Sequence, residues 1–225
     1  RHPDDPSYLR LASRVYSAAG ETTMTESTLR RVLDLDHASV STALMLVNCL
    51  VAQGRFVEAK RVIDQELARH PSSTQAQIAE ATLLQQMGLS AQAQARYESI
   101  VARSPDATRA MLELAALYVN RNEKLDVAMS LVTKARQQSP YDPAIGDALG
   151  WIYLRKGLSK MAVPLFEDAV KSDPRNPVYV YHLGMAHLEA HRRQQAREEL
   201  TQALQLDGSF PDRAKARAAL ASLTK

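Results

Sequence analysis

Three residue types recur along this chain in one register. Alanines stand at Ala59, Ala93, Ala128, Ala162 and Ala196, spaced 34, 35, 34 and 34. Prolines stand at Pro71, Pro105, Pro140 and Pro174, spaced 34, 35 and 34. Glycines at Gly20, Gly54, Gly88 and Gly157 are spaced 34, 34 and 69, the last interval holding one 34 and one 35. All three ladders require one inserted residue in the same interval. A missing turn glycine places it in Asn120-Arg121-Asn122-Glu123. A fixed period of this length marks a chain built of stacked repeats.

Each type has a physical job. Glycine permits a tight turn between helices, alanine lets two helix backbones approach closely, and proline ends one unit before the next begins. Composition supports helices: Gly numbers 8 in 225 residues, only 5% are aromatic, and alanine, leucine, glutamine and arginine dominate. A lone helix pair cannot bury its apolar stripe, whereas pairs stacked in series can. The expectation is an all-α chain whose stability comes from neighbour-on-neighbour packing.

The fifth unit carries Leu149, Gly150, Tyr153, Ala162, Phe166 and Pro174. This helix-turn-helix pattern resembles the tetratricopeptide repeat. The next unit keeps Leu183, Gly184, Ala196 and Leu200, with His187 for the tyrosine, His191 for a turn glycine and Gly208 for the proline. Earlier units are looser, and the first has Thr25 for the alanine and His37 for the proline. The resemblance implies a right-handed α-solenoid, a single domain over residues 1–225 with six repeats at 6–39, 40–73, 74–107, 108–142, 143–176 and 177–210. Residues 211–225 form a capping helix, with Asp212, Arg213, Lys215 and Arg217 toward water and Leu220 and Leu223 on the last repeat. The C-terminus therefore reads as a domain end. The chain opens Arg1-His2-Pro3 without methionine and reads as part of a longer polypeptide, with room for repeats upstream. Within the fifth unit, a cap at Ser159 would place Pro164 just past the first helical turn, where it removes about one backbone hydrogen bond.

Ile145, Ala148, Leu149, Ile152 and Tyr153 form the apolar stripe of one first helix. Trp151 lies off it, on a second stripe with Asp147, Leu154 and Arg155. In proteins similar to this, that face of each first helix lines a concave groove. The repeat register carries the groove from Arg10, Arg14 and Asn48 through Gln85, Gln86 and Asn120 to Asp147, Trp151 and Arg155, then Tyr181, Met185 and Glu189. Arginine and amide side chains can hydrogen-bond an extended backbone, while Trp, Tyr and Met anchor interfaces. Trp151 therefore has two readings. It anchors a partner segment together with Tyr181 and Met185, or it leans on the adjacent repeat and fills space.

Other chemistries find little support. Net charge is +3 with the charges interspersed, and basic pairs such as Arg30-Arg31 do not recur as a stripe, so no nucleic acid is expected. The single cysteine, Cys49, excludes an internal disulfide and sits in an apolar run. His182, His187 and His191 lack the spacing and company of a zinc site. There is no Gly-rich phosphate loop and no GxSxG, so neither catalysis nor a cofactor is expected. No apolar run approaches the ~20 residues of a membrane span. The basic clamp that some family members use for acidic chaperone tails is missing: Met45, Gln75 and Ala79 stand at its positions. The runs DALGWIYLRKG and NPVYVYHLGMAHLEA resemble bacterial envelope repeat proteins, including ones linked to exopolysaccharide export. That resemblance implies a periplasmic or outer-membrane scaffold binding a protein or peptide partner. A self-associating architectural oligomer, or an accessory domain of a longer enzyme or secretion protein, is the alternative.

Overall fold

The computed structural model describes residues 5–36, 39–206 and 210–223. His37 and Gly208, where the repeat proline is replaced, lie outside the described residues. Among the described residues there are thirteen α-helices and no strands. The first helices of the repeats are α1 (Pro6–Ala18), α3 (Val40–Ala52), α5 (Thr74–Gln86), α7 (Thr108–Asn120), α9 (Pro143–Arg155) and α11 (Pro177–Glu189). Their second helices are α2 (Thr22–Leu35), α4 (Phe56–Arg69), α6 (Ser90–Arg103), α8 (Leu125–Gln138), α10 (Ser159–Ser172) and α12 (Arg193–Leu206), and α13 (Arg213–Ser222) follows. Every first helix has 13 residues and every second helix 14. The six helix pairs expected from the period are all present.

Local chemistry explains this regularity. The side chains of Asp5, Ser39, Ser73, Asp142 and Asn176 each accept a hydrogen bond from a backbone N–H in the first turn of the following first helix. These residues stand one repeat apart, and Ala107 is the gap in their ladder. The turn to the second helix needs one left-handed residue. Gly20, Gly54, Gly88 and Gly157 supply it with φ between 73° and 79°, and His191 adopts φ 60° at the same position. Asn122 takes the position in the fourth repeat with φ 57°. The inserted residue then lies between Asn122 and α8, where Lys124 is left-handed as well and sets its ammonium 4.9 Å from the centre of the Tyr118 ring. The N-cap of α10 is Leu158, with no side-chain cap, so Ser159 is the first helical residue rather than the cap expected. Pro164 remains inside the first half of that helix.

The chain divides into two compact units, residues 1–107 and 108–225. The first holds three helix pairs around Leu29, Leu46, Leu50, Ala59, Ile63 and Leu83. Its surface carries an ion cluster joining two repeats. Arg55 donates to Glu26 at 2.5 Å and to Glu58 at 2.6 and 2.7 Å, and Arg30 reaches Glu26 at 2.9 Å. The second unit holds three pairs and α13. Ala162, Phe166, Leu183 and Ala186 form one cluster there, and Tyr181, Leu200, Phe210, Ala216 and Leu223 another. Gly150 and Gly184 are required by close approach. A Cβ at Gly150 would stand 2.8 Å from Phe166 Cε1, and one at Gly184 2.9 Å from Leu200 Cγ. Leu223 is buried as expected of a cap, and its carbonyl accepts from Arg193 and Arg197. Arg213 departs from the expected solvent face and donates to the Leu204 carbonyl at 3.0 Å.

Two core positions break the apolar rule. One ladder of the second helices reads Val32, Glu66, Ile100, Ala135, Ala169 and Ala203, all buried. Glu66 is 1% exposed and neither carboxylate oxygen has a hydrogen-bond partner among the described residues. The His70 imidazole, 3.7 Å away, is beyond hydrogen-bond reach. His187 occupies the position held by Tyr118 and Tyr153 in the two preceding repeats. It is buried with both ring nitrogens unpartnered among the described residues. Burial, with Arg192 adding to it and Glu167 opposing, holds its pKa below the ordinary value near 6.5.

Glu66→Ile, which copies Ile100, is expected to raise unfolding stability by about 1–3 kcal/mol. An unchanged urea midpoint would mean that the carboxylate is satisfied. The His187 shift predicts acid sensitivity. The unfolded chain protonates first as pH falls below about 6.5, so stability is full above that value and declines beneath it. At pH 5.5 the loss reaches at most about 1.4 kcal/mol. His187→Phe should remove that component, seen as a smaller fall in Tm between pH 7.5 and 5.5 than in the unsubstituted protein.

Candidate functional site

The repeat register sorts the first helices into faces. The row Ser13, Val47, Ala81, Ala115, Gly150 and Gly184 is buried throughout and packs inward. The row Ala18, Ala52, Gln86, Asn120, Arg155 and Glu189, in the last turn, is exposed in all six repeats. Between them lies the row Arg14, Asn48, Thr82, Ala116, Trp151 and Met185, exposed or half-buried at every position. Packing leaves the last-turn row exposed, while Thr82, Trp151 and Met185 of the middle row also take part in packing.

In the first unit this face is polar. Arg14, Asn48 and Gln86 are exposed. Arg10 is tied to Asp36 at 3.1 Å. Gln85 is half-buried, and its Oε1 is buried without a hydrogen-bond partner among the described residues. A hollow of about 300 Å³ lies beside Asn48, lined also by Ser17, Thr22, Met45 and Cys49. The Cys49 thiol donates to the Thr22 carbonyl at 3.7 Å.

In the second unit the face folds into a cleft of about 210 Å³. Ala115, Ala116, Val119 and Asn120 come from α7; Asp147, Ala148, Trp151 and Ile152 from α9; Val178 and His182 from α11. Pro211 and Asp212, just before α13, complete the lining. Trp151 is half-buried. Its ring stacks on His182 at 4.3 Å between centroids and meets Tyr181 at 6.2 Å and Phe166 at 6.5 Å. It therefore leans on the next repeat and also lines the cleft. Tyr181 is 1% exposed, with its ring 5.9 Å from Phe210, so it offers almost no surface to a partner. Met185 is half-buried, while Arg155 and Glu189 are exposed. Asp147 and Leu154 are buried rather than part of an open stripe.

Asp147 explains its own burial. Its two oxygens stand 2.8 and 2.9 Å from His182 Nδ1. An ionised carboxylate only accepts, so Nδ1 carries the proton and donates. Sequence reading placed both residues without joining them. The available signal was their separation of 35, one repeat plus one residue. Asp212, expected to face water, lines the cleft and pairs with exposed Lys215 at 2.7 Å. Burial raises the Tyr179 pKa, with Asp147, Asp142 and Asp173 adding to it. Burial, with Asp212 adding, pushes Tyr181 up to about 12. The cleft is a recess lined by the Asp147 and Asp212 carboxylates, the His182 imidazole and the Trp151 indole. Among the described residues no group of three or more His, Cys, Asp or Glu is placed to hold a metal ion. No described helix is long and apolar enough to cross a membrane.

The sequence profile of the tetratricopeptide repeat family matches residues 78–143 and 148–207, more than half of the chain. The TPR repeat-containing protein PA4667 of Pseudomonas aeruginosa is 28% identical over 127 residues, 56% of this chain and 21% of that protein. The human protein O-mannosyl-transferase TMTC1 is 27% identical over 160 residues, 71% of this chain and 18% of that protein. The chain thus spans about a fifth of the length of these relatives. Among solved structures, the tetratricopeptide repeat protein TTC0263 of Thermus thermophilus superposes with a TM-score of 0.68 at 22% identity. That match covers 81% of this chain and 99% of TTC0263, and shows a shared fold.

The Asp147–His182 pair gives a stability prediction. His182→Ala leaves a buried carboxylate alone and should cost about 3 kcal/mol in urea unfolding. His182→Asn keeps an N–H near the Nδ1 position and should cost roughly half as much. Both variants lose the Trp151 stack, so equal losses would show that the hydrogen bond adds nothing.

Proposed function

Because the chain belongs to the tetratricopeptide repeat family, we propose that it is a non-enzymatic scaffold that takes up a segment of a partner protein on its first-helix faces. Such repeats generally mediate contacts between proteins. The observation that carries the reading is the cleft of the second unit, where half-buried Trp151 sits beside Asn120, Asp147, His182 and Asp212. Large aromatics in such recesses supply much of the energy of protein interfaces. Around it, exposed Asn120, Arg155 and Glu189 and half-buried Met185 form the surrounding contact set. In the first unit the corresponding contacts are Arg14, Asn48 and Gln86, with Arg10 and Gln85 less accessible. Tyr181 acts from beneath the surface, against the Trp151 ring, while Asp147 holds His182 and lines the cleft itself. A bacterial multiprotein assembly of the cell envelope is the setting we favour, and the Pseudomonas relative supports a bacterial one.

A second reading rests on α1. Tyr8, Leu11 and Val15 lie on one side of that helix and are 62%, 59% and 59% exposed. An apolar stripe of this kind suits self-association into an architectural oligomer. The transferase relative, of which the chain matches a small part, keeps open a role as the repeat segment of a longer enzyme.

Position-dependent cross-linking separates these readings. A photo-reactive residue placed at Asn120 or Arg155 in native cells is expected to yield one dominant adduct, absent when the probe stands at exposed Lys134 on α8. Equal adducts from both faces would remove the first-helix reading. Self-association predicts a mass that rises with concentration in light scattering and falls to monomer in Leu11→Glu.

A further inference from the structure

We propose that the cleft of the second unit is a receptor for one arginine side chain presented by the partner. This rests on the scaffold reading above and adds the chemistry that the cleft selects. Its volume of about 210 Å³ falls below the ~300–1,000 Å³ of small-molecule sites and suits a single long side chain. Ala115, Val119, Ala148 and Ile152 supply an apolar lining for an aliphatic stem.

The polar groups of the lining call for a cation with several donors. Asp147 is 8% exposed and receives, among the described residues, only the one N–H of His182. A carboxylate has about four lone-pair sites, so most of its accepting capacity is unused. A buried carboxylate with so few donors is costly to hold and gains most from a charged partner. Asp212 adds a second carboxylate, and its ammonium partner Lys215 is exposed. No described lysine or arginine lines the cleft. The part of Trp151 that lines it adds an aromatic surface on which a guanidinium can rest. Arginine fits all three demands, because its planar fork carries five donors, pairs bidentately with carboxylates and stacks on rings. Lysine brings a compact, strongly hydrated charge and meets fewer of them.

Trp151 is the chain's one tryptophan, so its indole N–H gives a single unambiguous NMR signal. The test titrates N-acetyl-arginine methylamide into the protein and follows that signal, with the citrulline analogue as a neutral isostere and the lysine analogue as a point charge. The expected result is a saturable shift with a millimolar Kd for arginine, and binding weaker by about tenfold or more for the other two. Asp147→Asn should weaken arginine binding by about tenfold. Asp212→Asn, which leaves the buried pair intact, should weaken it less and serves if the first variant does not fold. No saturable shift up to about 50 mM, or equal binding of any two probes, overturns the proposal. If the arginine shift is absent while cross-linking from Asn120 and Arg155 persists, the arginine receptor alone falls. If the shift is present and the cross-linking pattern is not, the scaffold reading falls with the partner's presentation of the arginine, and only the cleft's selectivity for that side chain stands.

Discussion

The contact that everything else depends on is the crossing of two helices at a small residue. Ala59, Ala93, Ala128, Ala162 and Ala196 show no exposed surface at all. With nothing larger than a methyl there, the first helix of each of the last five repeats can lie close against the second, while the first repeat carries buried Thr25 at that position. Glycine extends the device where the partner is bulky: Gly150 faces Phe166 and Gly184 faces Leu200. Each pair buries one stripe internally and a second only when another pair stacks on it. The last-turn row of the first helices, Ala18, Ala52, Gln86, Asn120, Arg155 and Glu189, is left exposed by this stacking in all six repeats.

The repeat also shows where the chain departs from its own rule. Glu66 and His187 stand in positions that neighbouring repeats fill with apolar or aromatic side chains. The inter-repeat Asp147–His182 pair lines the cleft and is hydrogen-bonded. The contrast is physical. The Asp147 carboxylate finds its partner on the first helix of the next repeat, whereas the Glu66 oxygens and the His187 nitrogens find none among the described residues.

Much of the fold was legible because period, turn and small-residue positions report backbone geometry directly. Helix pairs, the inserted residue and the left-handed turn at His191 all follow from spacing. The site was less legible. Spacing gives the face of a residue but not its depth, so Tyr181 and Asp147 looked like open groove residues while they are buried. The Pro211–Asp212 wall was missed because it comes from the cap and so falls outside the repeat register. The Ser159 cap was misplaced because the tight turn starts α10 without any side-chain hydrogen bond.

The fourth repeat carries one residue more than its neighbours, yet α8 has the same length as every other second helix. Two left-handed residues, Asn122 and Lys124, absorb the surplus within the turn. The joint thus works as an expansion gap: α7 and α8 keep the 13 and 14 residues of their counterparts, and the exposed row continues from Asn120 to Arg155 with the numbering shifted by one. Change in such a chain can accumulate at its corners without rewriting the faces between them.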